Sequence, residues 1–150
     1  MHRRWMAILG LALVTATAGA AAVPSVEQDP KPAAQNAAAG WQLPPDADET
    51  TNPLTADPKV IATGKSVFKD KCERCHGPGG VGDGPDADPD HRDDMDLTNA
   101  ERAEGNSDGA MFYKVWNGRK KPKMPAFNKE LTKDQVWAVV TYAKTLRKAQ

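Results

Sequence analysis

Apolar residues are distributed along this 150-residue chain in three unlike regimes. From Trp5 to Ala22 they run without a charge, behind His2, Arg3 and Arg4, and the run ends in small residues at Ala18 to Ala22. That layout predicts an export signal over residues 1–22 with an AxA-type cleavage site. If kept, the run is about long enough, at roughly 18 residues, to serve as a single membrane anchor, although its Gly and Ala content favours cleavage. From residue 23 to 53 the composition turns to Pro, Ala, Gln, Asp and Thr, with Trp41 and Leu43 the only large apolar residues after Val26. Such a stretch cannot offset its ordering entropy by burial, so it predicts an extended, mostly disordered linker, in which a loose Trp41 is favoured over one docked on the domain.

Helical spacing begins in the third regime, residues 54–150. Asp57-Pro58 predicts a helix start, with Asp as N-cap and Pro at the first position. Val60, Ile61, Gly64, Val67 and Phe68 then recur on one face up to Cys72. A mid-helix glycine costs about 1 kcal/mol relative to alanine, so Gly64 predicts the close crossing of another helix. Residues 77–98 are rich in Gly, Pro and Asp and predict a loop. A second helix is expected from Ser107 or Asp108 to Asn117, with Met111, Phe112, Val115 and Trp116 buried and Gly118 as its stop. Another loop, "RKKPKMPAFNKE", precedes a third helix. There Thr132 and Gln135 form a capping box, and Val136, Val139, Val140, Ala143 and Leu146 form the stripe that faces Gly64.

Nothing in this region alternates as a strand does and nothing repeats, so the fold class is all-α, with three to five helices and long loops. A domain of fewer than a hundred residues has a marginal core and commonly relies on a disulfide, a metal or a bound cofactor. The chemistry that meets this need stands at the end of the first helix. "CERCH", residues 72–76, holds the only two cysteines of the chain.

Three chemistries suit that spacing: a redox dithiol, half of a zinc site, and covalent haem attachment. Zinc lacks ligands, since only His76 and His91 lie downstream of the cysteines. A redox dithiol usually opens a helix in a strand-rich fold, where the helix N-terminus lowers the thiol pKa, whereas these cysteines close one. Haem uses every part: two thiols for two vinyl groups, and the next residue, His76, beneath the iron. It also supplies the apolar bulk that the small core lacks.

With Gly64, Phe68, Cys72, Cys75 and His76 in one run, "GDGP" at 82–85, "SDGAMFYKVWNG", "MPAF" at 124–127 and "LTKDQVWAVVTYAKTL", residues 54–148 resemble a small monohaem class I c-type cytochrome. The resemblance implies a cytochrome c-like fold wrapped around one haem c, held through Cys72 and Cys75 with His76 as an axial ligand. It implies Met124 as the sixth ligand and a loop proline carbonyl, here assigned to Pro85, as acceptor for the other ring nitrogen of His76. The residues support Met124: Pro122 and Pro125 bracket it and hold the chain out of helix, while Met111 reads as core and Met95 and His91 as exposed loop. Trp116, Tyr142 and Arg119 are candidates to meet haem propionates. The Asp-rich stretch Asp86 to Asp96 departs from the family pattern and reads as solvated loop.

A six-coordinate haem implies one-electron transfer rather than catalysis. The expected function is that of an electron carrier, not an enzyme, or the cytochrome subunit of a respiratory complex, in the periplasm, free or N-terminally tethered. The alternatives are a haem peroxidase or gas sensor with a labile Met124 bond and, remotely, a thiol oxidoreductase. The chain is neutral overall, with 20 basic and 20 acidic side chains. Around Met124, however, stand Lys114, Arg119, Lys120, Lys121, Lys123 and Lys129, and the acids gather in the other loop. This predicts a basic docking face for a redox partner with an acidic one, and neither nucleic-acid binding nor, without the anchor, membrane contact.

Overall fold

The computed structural model describes residues 40–147. The expected export signal, the first part of the expected linker and the last three residues lie outside the described residues. The described part is helical, with no strand and two isolated antiparallel bridges, Val81 with Asp96 and Arg119 with Met124. Three long helices form where the apolar spacing places them: α1 (Pro58–Lys71), α5 (Asp108–Asn117) and α6 (Lys133–Thr145). Three short ones, α2 (Glu73–His76), α3 (Arg92–Met95) and α4 (Ala100–Glu104), were not expected from the sequence.

Each long helix starts at the cap its sequence announces. Asp57 Oδ1 accepts from Val60 N at 2.8 Å, Ser107 Oγ accepts from Ala110 N at 3.0 Å, and Thr132 and Gln135 bond reciprocally at 2.9 and 3.2 Å. The helices α1 and α6 cross at Gly64. A Cβ there would lie 2.1 Å from the Ala138 carbonyl oxygen and 2.8 Å from Tyr142 Cβ, so only glycine permits this approach. Around the crossing pack Val67, Phe68, Phe112, Phe127, Leu131, Val136, Trp137 and Val139. Phe112 stacks on Trp137 with ring centroids 4.2 Å apart.

Burial on α6 is wider than one stripe, for Trp137, Ala138 and Thr141 are buried as well. Trp137 stacks on Phe112 and Ala138 faces Gly64, while Thr141 meets a third partner that the composition concealed. Residues 40–53, expected to be linker, fold against α5 and α6 as an arm with a 3-10 turn at Ala47–Glu49. Asn52 Nδ2 donates to Thr141 Oγ1 at 2.9 Å, and Ser107 Oγ donates to Asp48 Oδ1 at 2.8 Å. Ala47 is buried, its carbonyl oxygen 2.0 Å from where a Gly109 Cβ would stand. The arm is thus fixed by polar bonds and close backbone contact rather than by the large apolar side chains whose scarcity suggested disorder.

Candidate haem site

The CERCH segment sits where α1 passes into α2. Cys72 N donates to Phe68 O at 2.8 Å and His76 N to Cys72 O at 2.9 Å, so helical hydrogen bonding continues through the motif until Gly77, at φ +74°, ends it. Positions 72, 75 and 76 are therefore neighbours on one helical face. The following loop folds back over the helix end, and the amides of Gly82, Gly84 and Asp86 bond the carbonyls of His76, Cys75 and Arg74 at 2.8, 3.3 and 2.7 Å. These are carbonyls that a helix terminus otherwise leaves without partners. A Cβ on Gly84 would meet the Arg74 carbonyl oxygen at 2.3 Å, which explains the glycine of GDGP.

This arrangement corrects the role assigned to Pro85. His76 Nδ1 lies 2.7 Å from the carbonyl oxygen of Met95, not that of Pro85. Pro85 is exposed, between two residues whose amides are tied to Arg74 and Cys75 at the edge of the motif. Met95 is brought to the ring by the bridge between Val81 and Asp96 and by Leu97 N bonding Gly80 O at 2.7 Å. No periodic signal in an Asp-rich loop pointed to Met95, because its contribution is a backbone atom.

The Met95 carbonyl can only accept, so Nδ1 carries the ring proton and Nε2 keeps its lone pair. Burial lowers the His76 pKa, the bond to Met95 opposing this, and the neutral ring that can ligate a metal is favoured. Burial, with smaller contributions from Cys75, Asp70 and Glu73, pushes the Cys72 thiol up to about 12. A thiol so disfavoured as thiolate is unsuited to disulfide exchange. Cys75 Sγ lies 3.8 Å from the Asp86 carbonyl oxygen, and neither cysteine is in a disulfide. Two free thiols one helical turn apart and an imidazole with an available Nε2 are the donor set that covalent haem attachment requires.

Met124 stands on a tight hairpin after α5. Arg119 and Met124 exchange both backbone bonds, at 2.8 and 2.9 Å. The turn between them contains a cis Lys121–Pro122 bond, and Gly118, at φ +65°, lets the Met124 carbonyl approach to 2.5 Å from the site of a Cβ. The Met124 side chain packs on the core and is half-buried. Of the other candidates, the Met111 thioether takes Arg147 Nη2 at 3.2 Å, and exposed His91 lies 4.0 Å from Asp94. Cys72, Leu97, Val115 and Trp116 likewise pack on the core while keeping exposed surface.

Two groups that sequence reasoning misjudged meet beside this hairpin. Trp41 is half-buried, its ring centroid 4.3 Å from the Arg119 guanidinium and 5.2 Å from Lys114 Nζ. Asp94 pairs with Arg102 at 2.9 Å and with Arg119 at 3.5 Å. Asp86 pairs with Arg74 at 2.6 Å, so the acidic stretch is in part structural. The signal available for Trp41 was the indole itself, which is costly to leave in water within an otherwise polar stretch.

Comparison with known proteins agrees with this geometry. A family model described as cytochrome c oxidase, cbb3-type, subunit III, matches residues 59–142. No curated protein sequence matches. Among solved structures, the chain is similar to a chain of the reducing HAO-like protein complex of Kuenenia stuttgartiensis, with 29% identity and a TM-score of 0.55. The match covers 64% of this chain, which spans 47% of that one. The chain therefore belongs to the family of cytochrome c oxidase, cbb3-type, subunit III, and contains a class I c-type cytochrome domain whose cofactor is covalently attached haem c.

Proposed function

We propose that Cys72 and Cys75 hold the haem, that His76 Nε2 and the Met124 thioether are its axial ligands, and that the protein passes single electrons between extracytoplasmic redox partners. The observation that carries this reading is the 2.7 Å bond from His76 Nδ1 to the Met95 carbonyl, which presets the imidazole as a ligand. Bound haem supplies a one-electron iron couple, and a thioether opposite an imidazole raises its potential relative to two imidazoles. The chain's own residues fix the ring of His76, hold Met124 on a hairpin pinned at both backbone atoms, and cover the site with Phe68, whose ring centroid is 6.4 Å from that of His76. With His76 and Met124 both holding the iron, electron exchange would proceed without bonding a substrate.

The exported full-length protein tests this directly. After denaturation its mass should exceed that of the chain by one haem, and replacing Cys72 and Cys75 with Ala should remove the excess. Met124→Ala should abolish the far-red Met–iron charge-transfer band, lower the potential and admit exogenous ligands. A wild-type protein with free thiols, or a Met124→Ala variant with an unchanged spectrum, overturns the assignment.

Export is supported by the charged start and uncharged apolar run of residues 1–22. Among the described residues no helix is long and apolar enough to cross a membrane. For the partner, the exposed cations at the hairpin are Lys120, Lys121, Lys123 and Lys129. Lys114 and Arg119, counted with them from sequence, are instead engaged internally, by Asn106 and by Asp94 and Pro122. A four-lysine surface beside Met124 suits an acidic docking face.

A further inference from the structure

We propose that Arg119 is a positioning residue for the axial ligands, locking the loop that presents the His76 acceptor to the hairpin that presents Met124, with Trp41 of the N-terminal arm closing the junction. The inference rests on the ligand assignment above and adds to it a link between the two sides of the haem site.

Three observations converge on this side chain. First, Asp94, which pairs with the Arg119 guanidinium at 3.5 Å, immediately precedes Met95, whose carbonyl receives His76 Nδ1 at 2.7 Å. Second, Arg119 is the residue that Met124 pairs with, through N···O distances of 2.8 and 2.9 Å. Opposed residues of an antiparallel pair extend their side chains to the same side, so the guanidinium and the thioether share a face of the hairpin. Arg119 Nε also donates to the Pro122 carbonyl at 3.0 Å, within the same turn. Third, the Arg119 side chain is only 7% exposed, and the Trp41 ring lies over it at 4.3 Å.

A guanidinium so withdrawn from water cannot give up its partners freely, because each loss leaves a desolvated charge. Asp94 is itself steadied by Arg102 at its other oxygen, at 2.9 Å. The loop before Met95 and the hairpin of Met124 are therefore held at one spacing, and movement of either must break the same ion pair. The arm enters the same equilibrium, since lifting Trp41 would rehydrate Arg119 and weaken its grip on Asp94. Arm docking and Met124 ligation are thus coupled through Arg119.

The experiment uses the ferric full-length holoprotein and imidazole, which competes with Met124 for the sixth position. Wild type, Arg119→Leu, Arg119→Lys, Asp94→Asn, Trp41→Leu and Met124→Ala are compared by the far-red band and by imidazole affinity, alongside melting temperature. Arg119→Leu and Asp94→Asn should each bind imidazole about ten-fold more tightly than wild type, the size of coupling found between residues of one polar network. Trp41→Leu should shift affinity in the same direction by a smaller factor. Arg119→Lys should fall between wild type and Arg119→Leu, and combining Asp94→Asn with Arg119→Leu should add little to either alone. Lower melting temperatures with imidazole affinity within about two-fold of wild type would reduce Arg119 to a merely structural role and overturn the proposal. Should Arg119→Leu fail to fold, Asp94→Asn and Trp41→Leu carry the same decision. A Met124→Ala variant that keeps the band and gains no imidazole affinity would instead sink the ligand assignment, leaving a distinct signature for each failure.

Discussion

Lys114 sits on α5 with its ammonium beside Asn106, 5.2 Å from the centre of the Trp41 ring, and burial and then the nearby Arg119 charge lower its pKa to about 8, against support from Asp48 and Asp94. Its ordinary value is 10.5. Between these values the unfolded chain binds the proton more fully than the folded one, so this group makes stability rise with pH across that window and leaves it flat below about 8. Lys114→Met should remove the effect. The wild-type minus variant difference in unfolding free energy should increase from pH 8 to 10, and a difference independent of pH would show that Lys114 keeps its ordinary pKa. What the sequence could reveal at this scale followed a simple division. Cys72, Cys75, His76 and Met124 could be singled out as candidates because their side-chain chemistry is rare and their spacing constrained. The acceptor for His76 was not, because any residue has a carbonyl and only the folded loop decides that Met95 rather than Pro85 offers it.

Among the elements, α1, α5 and α6 began within a residue of their predicted starts because caps and apolar spacing are local signals. The arm and α3 escaped notice because what holds them is distant: Asn52 reaches Thr141, and Asp94 reaches Arg119. Helix α4 has a local cap, Asn99 accepting from Arg102 N at 3.1 Å, but is too short to show an apolar period. The crossing of α1 and α6 allows a sharp test. Gly64→Ala should gain about 1 kcal/mol of helix propensity, but its methyl would stand 2.1 Å from a backbone oxygen that cannot swing aside. Overpacking of this kind costs about 1–3 kcal/mol, so the clash should win and melting should fall by roughly 5–10 °C. An unchanged or raised melting temperature would mean that the helices separate without loss. At the start of α6, Thr132→Ala removes the acceptor for Gln135 N and should cost about 1 kcal/mol, read as a shift of the denaturant midpoint at constant slope.

On the scale of the whole molecule, the two oppositely charged loops touch rather than oppose one another, through Asp94 and Arg119. The external field of the hairpin is therefore set by Lys120, Lys121, Lys123 and Lys129 rather than by six cations. Reversing Lys120, Lys121 and Lys123 to Glu should slow bimolecular electron transfer with the native partner, by roughly ten-fold or more at low ionic strength, while spectrum and potential stay nearly constant. A wild-type rate indifferent to salt, or a variant as fast as wild type, would free the partner from any need of acidic character. The arm has a consequence in time as well as in space. Its anchor Asn52 bonds a residue 89 positions later, and Ser107 bonds Asp48 across 59. A chain made from its N-terminus has residues 40–53 before the surfaces that hold them, so Asn52 stays without Thr141 until α6 is in place. The Trp41 clasp over Arg119 can thus close once the hairpin exists, whereas the Asn52 anchor closes only when α6 has formed.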